Sequence, residues 1–361
     1  MAAGAAGLTA ASAESVHGTK ETEAILRALI TGYGGFAGGH LANELLRETD
    51  WQVWGTRRRQ GEAPPSAQPG IEQREGGTVR TLELDLRDPI ATRRAIDQVA
   101  PDRVFHLAGQ AFVPAARRDP WGSFEANVRM QINLLEALAG SRSRILVVTS
   151  CEVYGAPETG SDPIDERATL APINAYATSK AAQDMVAWQY TRSHGLDLVR
   201  ARPFNHIGPG QDLRFVLPAF ARQIARIEAG RQAPRLSVGN LDAQRDFSDV
   251  RDIVRAYRLL AERGRSGAVY NLGSGQARPI SAIVDALRER ATVDIEVETD
   301  LDRLRPNEIP AICCDSGRAR AELGWTTTIN FNQSIDAVLA EWRAREHTSE
   351  GESLSRTAHA S

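Results

Sequence analysis

Cysteine is scarce: Cys151, Cys313 and Cys314 are the only three in 361 residues. They do not make a disulfide framework, and neither a CxxC pair nor a Cys/His cluster at metal-ligand spacing is present. No metal is expected, and a reducing cytoplasm is the natural compartment. Long apolar runs are missing as well, since none approaches the ~20 residues that a membrane-spanning helix needs. Charge of one sign is also not in excess. Lys and Arg number 43 and Asp and Glu 46, a net −3, too balanced for a nucleic-acid surface or an acidic-lipid anchor. The first 22 residues have neither a basic start nor an apolar segment, so they do not read as a secretory signal. They and residues 345–361 read as disordered polar tails.

The remaining body of about 320 residues is long enough for two domains, or for one large α/β unit with an appended lobe. Residues 26–31 read as a buried strand, and residues 36–47 as a helix with Leu41, Leu45 and Leu46 on one face. WQVWGT, VRTLELDL, DRVFHLAG and SRILVVTS read as further strands. Strands that are apolar throughout and alternate with helices imply an α/β fold, a Rossmann-like doubly wound parallel sheet spanning residues 23–203. Beyond residue 203 the rhythm loosens. Helices near 216–229 and 250–263 and a strand at RLSVGN imply a smaller C-terminal α/β lobe over residues 204–344, with some segments returning to the first domain.

The first strand runs into Gly32-Tyr-Gly-Gly35-Phe-Ala-Gly38 and then a helix. Gly32 permits a sharp strand-to-helix turn, Gly35 lets the backbone approach a pyrophosphate, and Gly38 allows close packing of helix on strand. The second strand ends in Gly55-Thr-Arg57-Arg58-Arg, where an NAD-binding turn would place an acidic residue on the ribose. Guanidinium forks at Arg57 and Arg58 match a 2′-phosphate, which selects NADP(H). A solvated basic loop, followed by the flexible EAPPSAQPG, is the alternative. Asp85 suits either an adenine contact or the N-cap of the next helix.

Tyr176 and Lys180 stand four residues apart, on one face of a helix and close enough to interact. A cation beside a phenol lowers its pKa toward neutrality, making it a usable general acid or base. The fifth strand ends in Thr149-Ser150-Cys151-Glu152-Val153-Tyr154-Gly155. In a doubly wound sheet ligands bind at the carboxyl ends of strands, which makes Ser150 a third candidate.

With TGYGGFAGGHL, DLRD, HLAGQ, NVRMQINLLEAL, SCEVYG and YATSK in register, residues 26–342 resemble the extended short-chain dehydrogenase/reductase family. The resemblance implies that Tyr176 exchanges a proton with the substrate oxygen. It also implies that Lys180 tunes Tyr176 and holds the nicotinamide ribose, and that Ser150 hydrogen-bonds the reacting carbonyl. Phe36, Leu86, Leu107 and Ala108 join Gly32, Gly35, Gly38, Arg57, Arg58 and Asp85 in the implied cofactor site. A homodimer through a helix pair is the implied assembly.

Residues 203–211, 238–252 and 304–308 resemble the GDP-mannose branch of that family. Arg245 and Arg305 would grip a diphosphate, Asn205 would donate to the same oxygens, and Glu308 would accept from ribose hydroxyls. Gln110 and Arg222 complete the candidate substrate set. For Arg245 the alternative is a salt bridge to Asp246 or Asp249. Glu152 matches the residue that handles the C5 proton in a 4,6-dehydratase. Yet the glycine turn, and the Leu217-Pro218-Ala219 that follows Phe215-Val216, depart from the dehydratase pattern. Double epimerisation would need a Cys and a His where this chain has Glu152 and Phe215. The resemblance therefore implies NADPH-dependent reduction of the C4 ketone of GDP-4-keto-6-deoxy-D-mannose, giving GDP-D-rhamnose or its C4 epimer. The alternatives are the 4,6-dehydratase, another nucleotide-sugar epimerase or dehydratase of the family, and a non-catalytic NADP-sensing protein.

Overall fold

A computed structural model of the chain describes residues 25–58, 69–156, 162–303 and 309–358. The expected N-terminal tail, Arg305 and Glu308 lie outside the described residues, as does most of the proline-rich stretch after Arg58.

The chain opens with β1 (Arg27–Thr31), α1 (Phe36–Glu48) and β2 (Gln52–Arg57). A hairpin follows, made of β3 (Gly70–Arg74) and β4 (Gly77–Glu83), then α2 (Pro89–Val99) and β5 (Arg103–His106). Next come α3 (Val113–Arg118), α4 (Pro120–Phe124), a π-helical turn at Glu125–Arg129, α5 (Met130–Ala137) and β6 (Arg144–Val148). A 3₁₀ turn at Cys151–Tyr154 precedes α6 (Ala175–His194), β7 (Leu198–Pro203), β8 (Asn205–Ile207) and α7 (Val216–Glu228). The chain continues through β9 (Arg235–Val238), β10 (Gln244–Asp249), α8 (Val250–Arg263), β11 (Val269–Leu272), β12 (Ala277–Pro279) and α9 (Ser281–Arg290). It ends with β13 (Glu296–Thr299), β14 (Ala311–Ile312), α10 (Gly317–Leu323) and α11 (Phe331–Ala358).

The main sheet has the order β11-β7-β6-β5-β1-β2-β4-β3 and is parallel except for β3, which pairs antiparallel with β4. Its strands β1, β2, β5, β6, β7 and β11 are buried on both faces, as their apolar sequences imply. Ala28 and Ile30 of β1 point into a core shared with α1, α8 and Trp325. Leu29, between them, points into the opposite core, with Ile96 of α2, Leu134 and Leu135 of α5 and Ala187 of α6. The second lobe has its own core, where α7, α9 and α11 cover β9 and β10.

The boundary expected at residues 203/204 is crossed repeatedly. α8 packs against α1 in the first core, and β11 adds to β7 at the edge of the main sheet. Amphipathic spacing finds α8 but does not say which sheet it covers. β3 was also not anticipated. The expected tail from residue 345 is helical instead, because α11 continues to Ala358 and Arg231 pairs with Glu346 at 2.7 Å.

One buried ionic cluster ties α6 to β7. Asp184 is fully buried and accepts Arg200 Nη1 at 2.6 Å and Arg202 Nε at 2.8 Å. Burial by itself would raise its pKa, but the two guanidiniums hold it below the ordinary carboxylate value. Asp184 therefore contributes stability that is fully present above the unfolded carboxylate pKa of ~3.9 and is lost as pH falls below it. Asp184→Asn leaves two buried guanidiniums without a counter-charge and is expected to cost ~3–5 kcal/mol at neutral pH. Urea denaturation measures this, and a loss below ~1 kcal/mol would contradict the account.

Candidate active site

The strand order reverses between β1 and β5, which opens a crevice at their carboxyl ends. Gly32, directly after β1, has φ 74°, and a Cβ there would stand 2.7 Å from the Ala108 nitrogen. Only glycine lets this turn lie against the residues after β5. A Cβ on Gly38 would come 2.6 Å from the Gly32 carbonyl oxygen, so α1 also packs on the turn without a side chain between them. Gly35 is the N-cap of α1, with no side-chain cap and no acidic residue in the first turn. The N–H groups at this helix start are thus available to an anion. Leu107 N donates to Thr31 O at 3.2 Å and Ala108 N to Thr31 Oγ1 at 3.4 Å. The Phe36 ring stacks on His206, with centroids 5.9 Å apart.

Arg57 closes β2 and is 46% exposed; its Nη2 donates to Thr81 Oγ1 at 3.1 Å. Arg58 follows, also exposed. Asp85 pairs with Arg87 at 2.6 Å, and that hydrogen bond holds its carboxyl below the ordinary value. The capping alternative for Asp85 fails because Asp88 caps α2, its Oδ1 accepting from Ile90 N and Ala91 N. Leu86 is buried, and its carbonyl accepts from Asn133 Nδ2 at 2.8 Å. An uncapped helix start over a glycine cradle, with two arginines at the end of β2, fits a dinucleotide that carries a 2′-phosphate.

Ser150 caps the 3₁₀ turn after β6, and its Oγ accepts from Glu152 N at 3.2 Å. Asn174 caps α6, with Oδ1 accepting from Ala177 N at 2.8 Å and Nδ2 donating to Glu152 Oε2 at 3.3 Å. One asparagine thereby joins the strand end to the helix that carries Tyr176 and Lys180. An Asn just before a helix start is a capping signal readable in sequence. Ser150, Tyr176 and Lys180 are 8%, 7% and 6% exposed.

The phenol of Tyr176 is raised well above its ordinary pKa, chiefly by burial; a hydrogen bond with Ser150 opposes the shift and Glu152 adds to it. Lys180 Nζ donates to Val148 O at 3.1 Å rather than to Tyr176, and burial lowers its pKa to about 8. The expectation that Lys180 pulls the phenol toward neutrality is corrected accordingly: the ammonium is held by a strand carbonyl, and desolvation dominates the phenol. A phenol in this state is protonated at neutral pH.

Asn127, in the π-helical turn, was not singled out from the sequence. It is fully buried; its Oδ1 accepts from Gln110 N at 2.8 Å and its Nδ2 donates to Ser179 Oγ at 2.8 Å. It therefore braces the loop after β5 against α6. The Gln110 side chain ties its loop to α4, with Nε2 donating to Ser123 Oγ at 3.1 Å.

On the second lobe, Asn205 Oδ1 is buried without a partner among the described residues. Arg222 is half-buried on α7. Arg245 Nη1 donates to the carbonyls of Gln244 at 2.8 Å and Ile309 at 2.7 Å, and its charge acts on the thiol of Cys151 beside Ser150. The alternative bridges are otherwise taken up. Asp246 accepts from Ser274, Gly275 and Cys314, and Asp249 from Arg251 and Ser334.

The family model described as GDP-mannose 4,6 dehydratase matches residues 29–338. A curated GDP-6-deoxy-D-mannose reductase of Pseudomonas aeruginosa is 36% identical over 322 residues, covering 88% of this chain and 98% of the relative. A GDP-mannose 4,6-dehydratase of Sinorhizobium fredii is 27% identical, covering 82% and 91%. The solved structure of RMD from P. aeruginosa complexed with NADPH superposes with a TM-score of 0.75 at 35% identity, covering 89% of this chain and 99% of that one. The chain belongs to the GDP-mannose 4,6-dehydratase family of extended short-chain dehydrogenases/reductases.

Proposed function

We propose that this protein is an NADPH-dependent oxidoreductase that reduces the C4 ketone of GDP-4-keto-6-deoxy-D-mannose to a GDP-6-deoxyhexose. The observation that carries this reading is the likeness, over nearly the whole of both chains, to a GDP-6-deoxy-D-mannose reductase. The Ser150 hydroxyl and the Tyr176 phenol, which share a hydrogen bond, can offer the ketone oxygen a hydrogen bond and a proton. NADPH, when bound, supplies the hydride to the sugar carbon. The glycine turn and the start of α1 hold its pyrophosphate, and Arg57 and Arg58 hold its 2′-phosphate. Asp85, Leu86, Leu107 and Ala108 line its path across the strand ends. Ser150 orients the carbonyl, Tyr176 Oη delivers a proton to the ketone oxygen, and Lys180, charged below its pKa of about 8, keeps the site positive as the oxygen gains electron density.

Substrate binding falls to the second lobe, with Asn205, Arg222, Arg245, Arg305 and Glu308 around the nucleoside diphosphate and Gln110 at the sugar. The unpartnered end of the Asn205 amide supports this, because a buried polar atom without a partner costs free energy unless a ligand satisfies it. We place the protein in the cytoplasm, a setting supported by its three unpaired, buried cysteines. We assign a homodimer through the outer face of α6, where Met185 and Trp188 are exposed.

A second reading, the 4,6-dehydratase, is favoured by Glu152, whose carboxylate acts on the Tyr176 phenol. A dehydratase recycles its hydride within one turnover, whereas a reductase consumes NADPH. With GDP-4-keto-6-deoxy-D-mannose we expect one NADPH oxidised per product, read from nicotinamide absorbance and product analysis. Conversion of GDP-mannose with no change in that absorbance would identify the dehydratase.

Tyr176→Phe removes the proton donor and should lower turnover ~10²–10⁴-fold with KM little changed, whereas Glu152→Gln should retain more activity. Near-full activity of Tyr176→Phe would transfer the proton to another group. Raising pH through about 8 neutralises Lys180, so kcat/KM for reduction is expected to fall on the alkaline side. A profile flat to pH 9.5 would remove Lys180 from that role.

A further inference from the structure

β3 adds little to the core, since its only large apolar side chain, Ile71, is 73% exposed. What the strand does deliver is Glu72 and Arg74. Arg74 Nε donates to the Tyr33 hydroxyl at 2.8 Å, and its guanidinium lies 5.2 Å over the Tyr33 ring, inside the glycine turn. Glu72 Oε1 pairs with Arg74 Nη2 at 2.9 Å, while Glu72 Oε2 faces Arg57 Nη1 at 3.7 Å. Arg57 itself stands over the turn, its Cβ 3.6 Å from where a Cβ on Gly34 would lie. One carboxylate thus sits between the arginine that braces the glycine turn and the arginine at the end of β2.

We propose that Glu72 is a specificity-determining residue that limits the preference for a 2′-phosphate by acting as the internal counter-ion of Arg57. The inference rests on the reading of Arg57 as a ligand of that phosphate. A dianion approaching Arg57 competes with Glu72 for the same guanidinium and meets its negative charge. Glu72 is 31% and Arg57 46% exposed, so solvent screens the competition and the effect is a modulation. A cofactor that ends in a free ribose hydroxyl brings no negative charge to compete with Glu72 for Arg57.

Isothermal titration calorimetry of the intact protein with 2′,5′-ADP and with 5′-AMP tests this without turnover. Glu72→Gln keeps an acceptor for Arg74 and removes the charge. It is expected to tighten 2′,5′-ADP about threefold to tenfold at low salt and to leave 5′-AMP unchanged, with the gain shrinking in 0.5 M salt. Glu72→Ala should act in the same direction. Unchanged or weaker binding of 2′,5′-ADP to both variants overturns the inference. Arg57→Ala separates the two levels of argument. If it binds 2′,5′-ADP as well as the unmodified protein does, the assignment of Arg57 falls and the inference with it. If it loses that ligand tenfold while both Glu72 variants leave it unchanged, only the inference about Glu72 falls.

Discussion

The buried contact of Asp184 with Arg200 and Arg202 fixes the arrangement on which the rest depends. Tyr176, Lys180 and Asp184 succeed one another at intervals of four along α6, so they share a face directed at the sheet. Asp184 locks the third turn of that face onto β7, and Arg202 donates in turn to the Tyr154 hydroxyl at 2.9 Å, at the end of the 3₁₀ turn that begins from Ser150. The height of the helix over the strand ends is thereby set by charge-assisted hydrogen bonds whose geometry tolerates little sliding. Tyr176 and Ser150 meet because their supports are one network.

Burial of that network explains the chemistry around it. Water is excluded from Ser150, Tyr176 and Lys180 alike, and desolvation moves the two titratable members in opposite directions, the phenol up and the ammonium down. His106, hydrogen-bonded to Thr31 Oγ1 under the glycine turn, is held neutral by burial and by the nearby ammonium, with a pKa of about 3. Its neutrality leaves the Lys180 ammonium without a second positive charge from His106 at neutral pH. A polar constellation in so dry a place needs rigid positioning, and Asn127 supplies it against Ser179 of α6 while Asn174 supplies it at the start of that helix.

Local pattern made much of this legible. β1, α1, β2 and α8 follow the apolar spacing of their sequences, the glycine turn follows the first strand as anticipated, and Tyr176 and Lys180 lie on one helix. What escaped is non-local. Nothing in the spacing of α8 says that its apolar face meets α1 rather than the second lobe. β3 is short and largely exposed, so its five residues carry no buried stripe, and its pairing depends on the turn at Gly76 and Gly77. Lys180 donates to a carbonyl of β6, and Arg245 to one beyond residue 308 among others, contacts that no side-chain spacing encodes. Arg305 and Glu308, named from resemblance, lie outside the described residues.

The chain passes from the first core to the second lobe after β7, returns with α8 and β11, leaves for β12 and α9, and returns again with α10 before α11 closes the lobe. A fragment ending at residue 203 would lose both the helix that covers Ala28, Ile30 and Leu146 and the strand that shields the edge of β7. It would present an open hydrophobic sheet to water, a surface prone to association. The two lobes are therefore inseparable as genetic modules. A transplant or truncation that cuts at residue 203 therefore has to carry α8 and β11 along with the first core if its sheet is to stay covered.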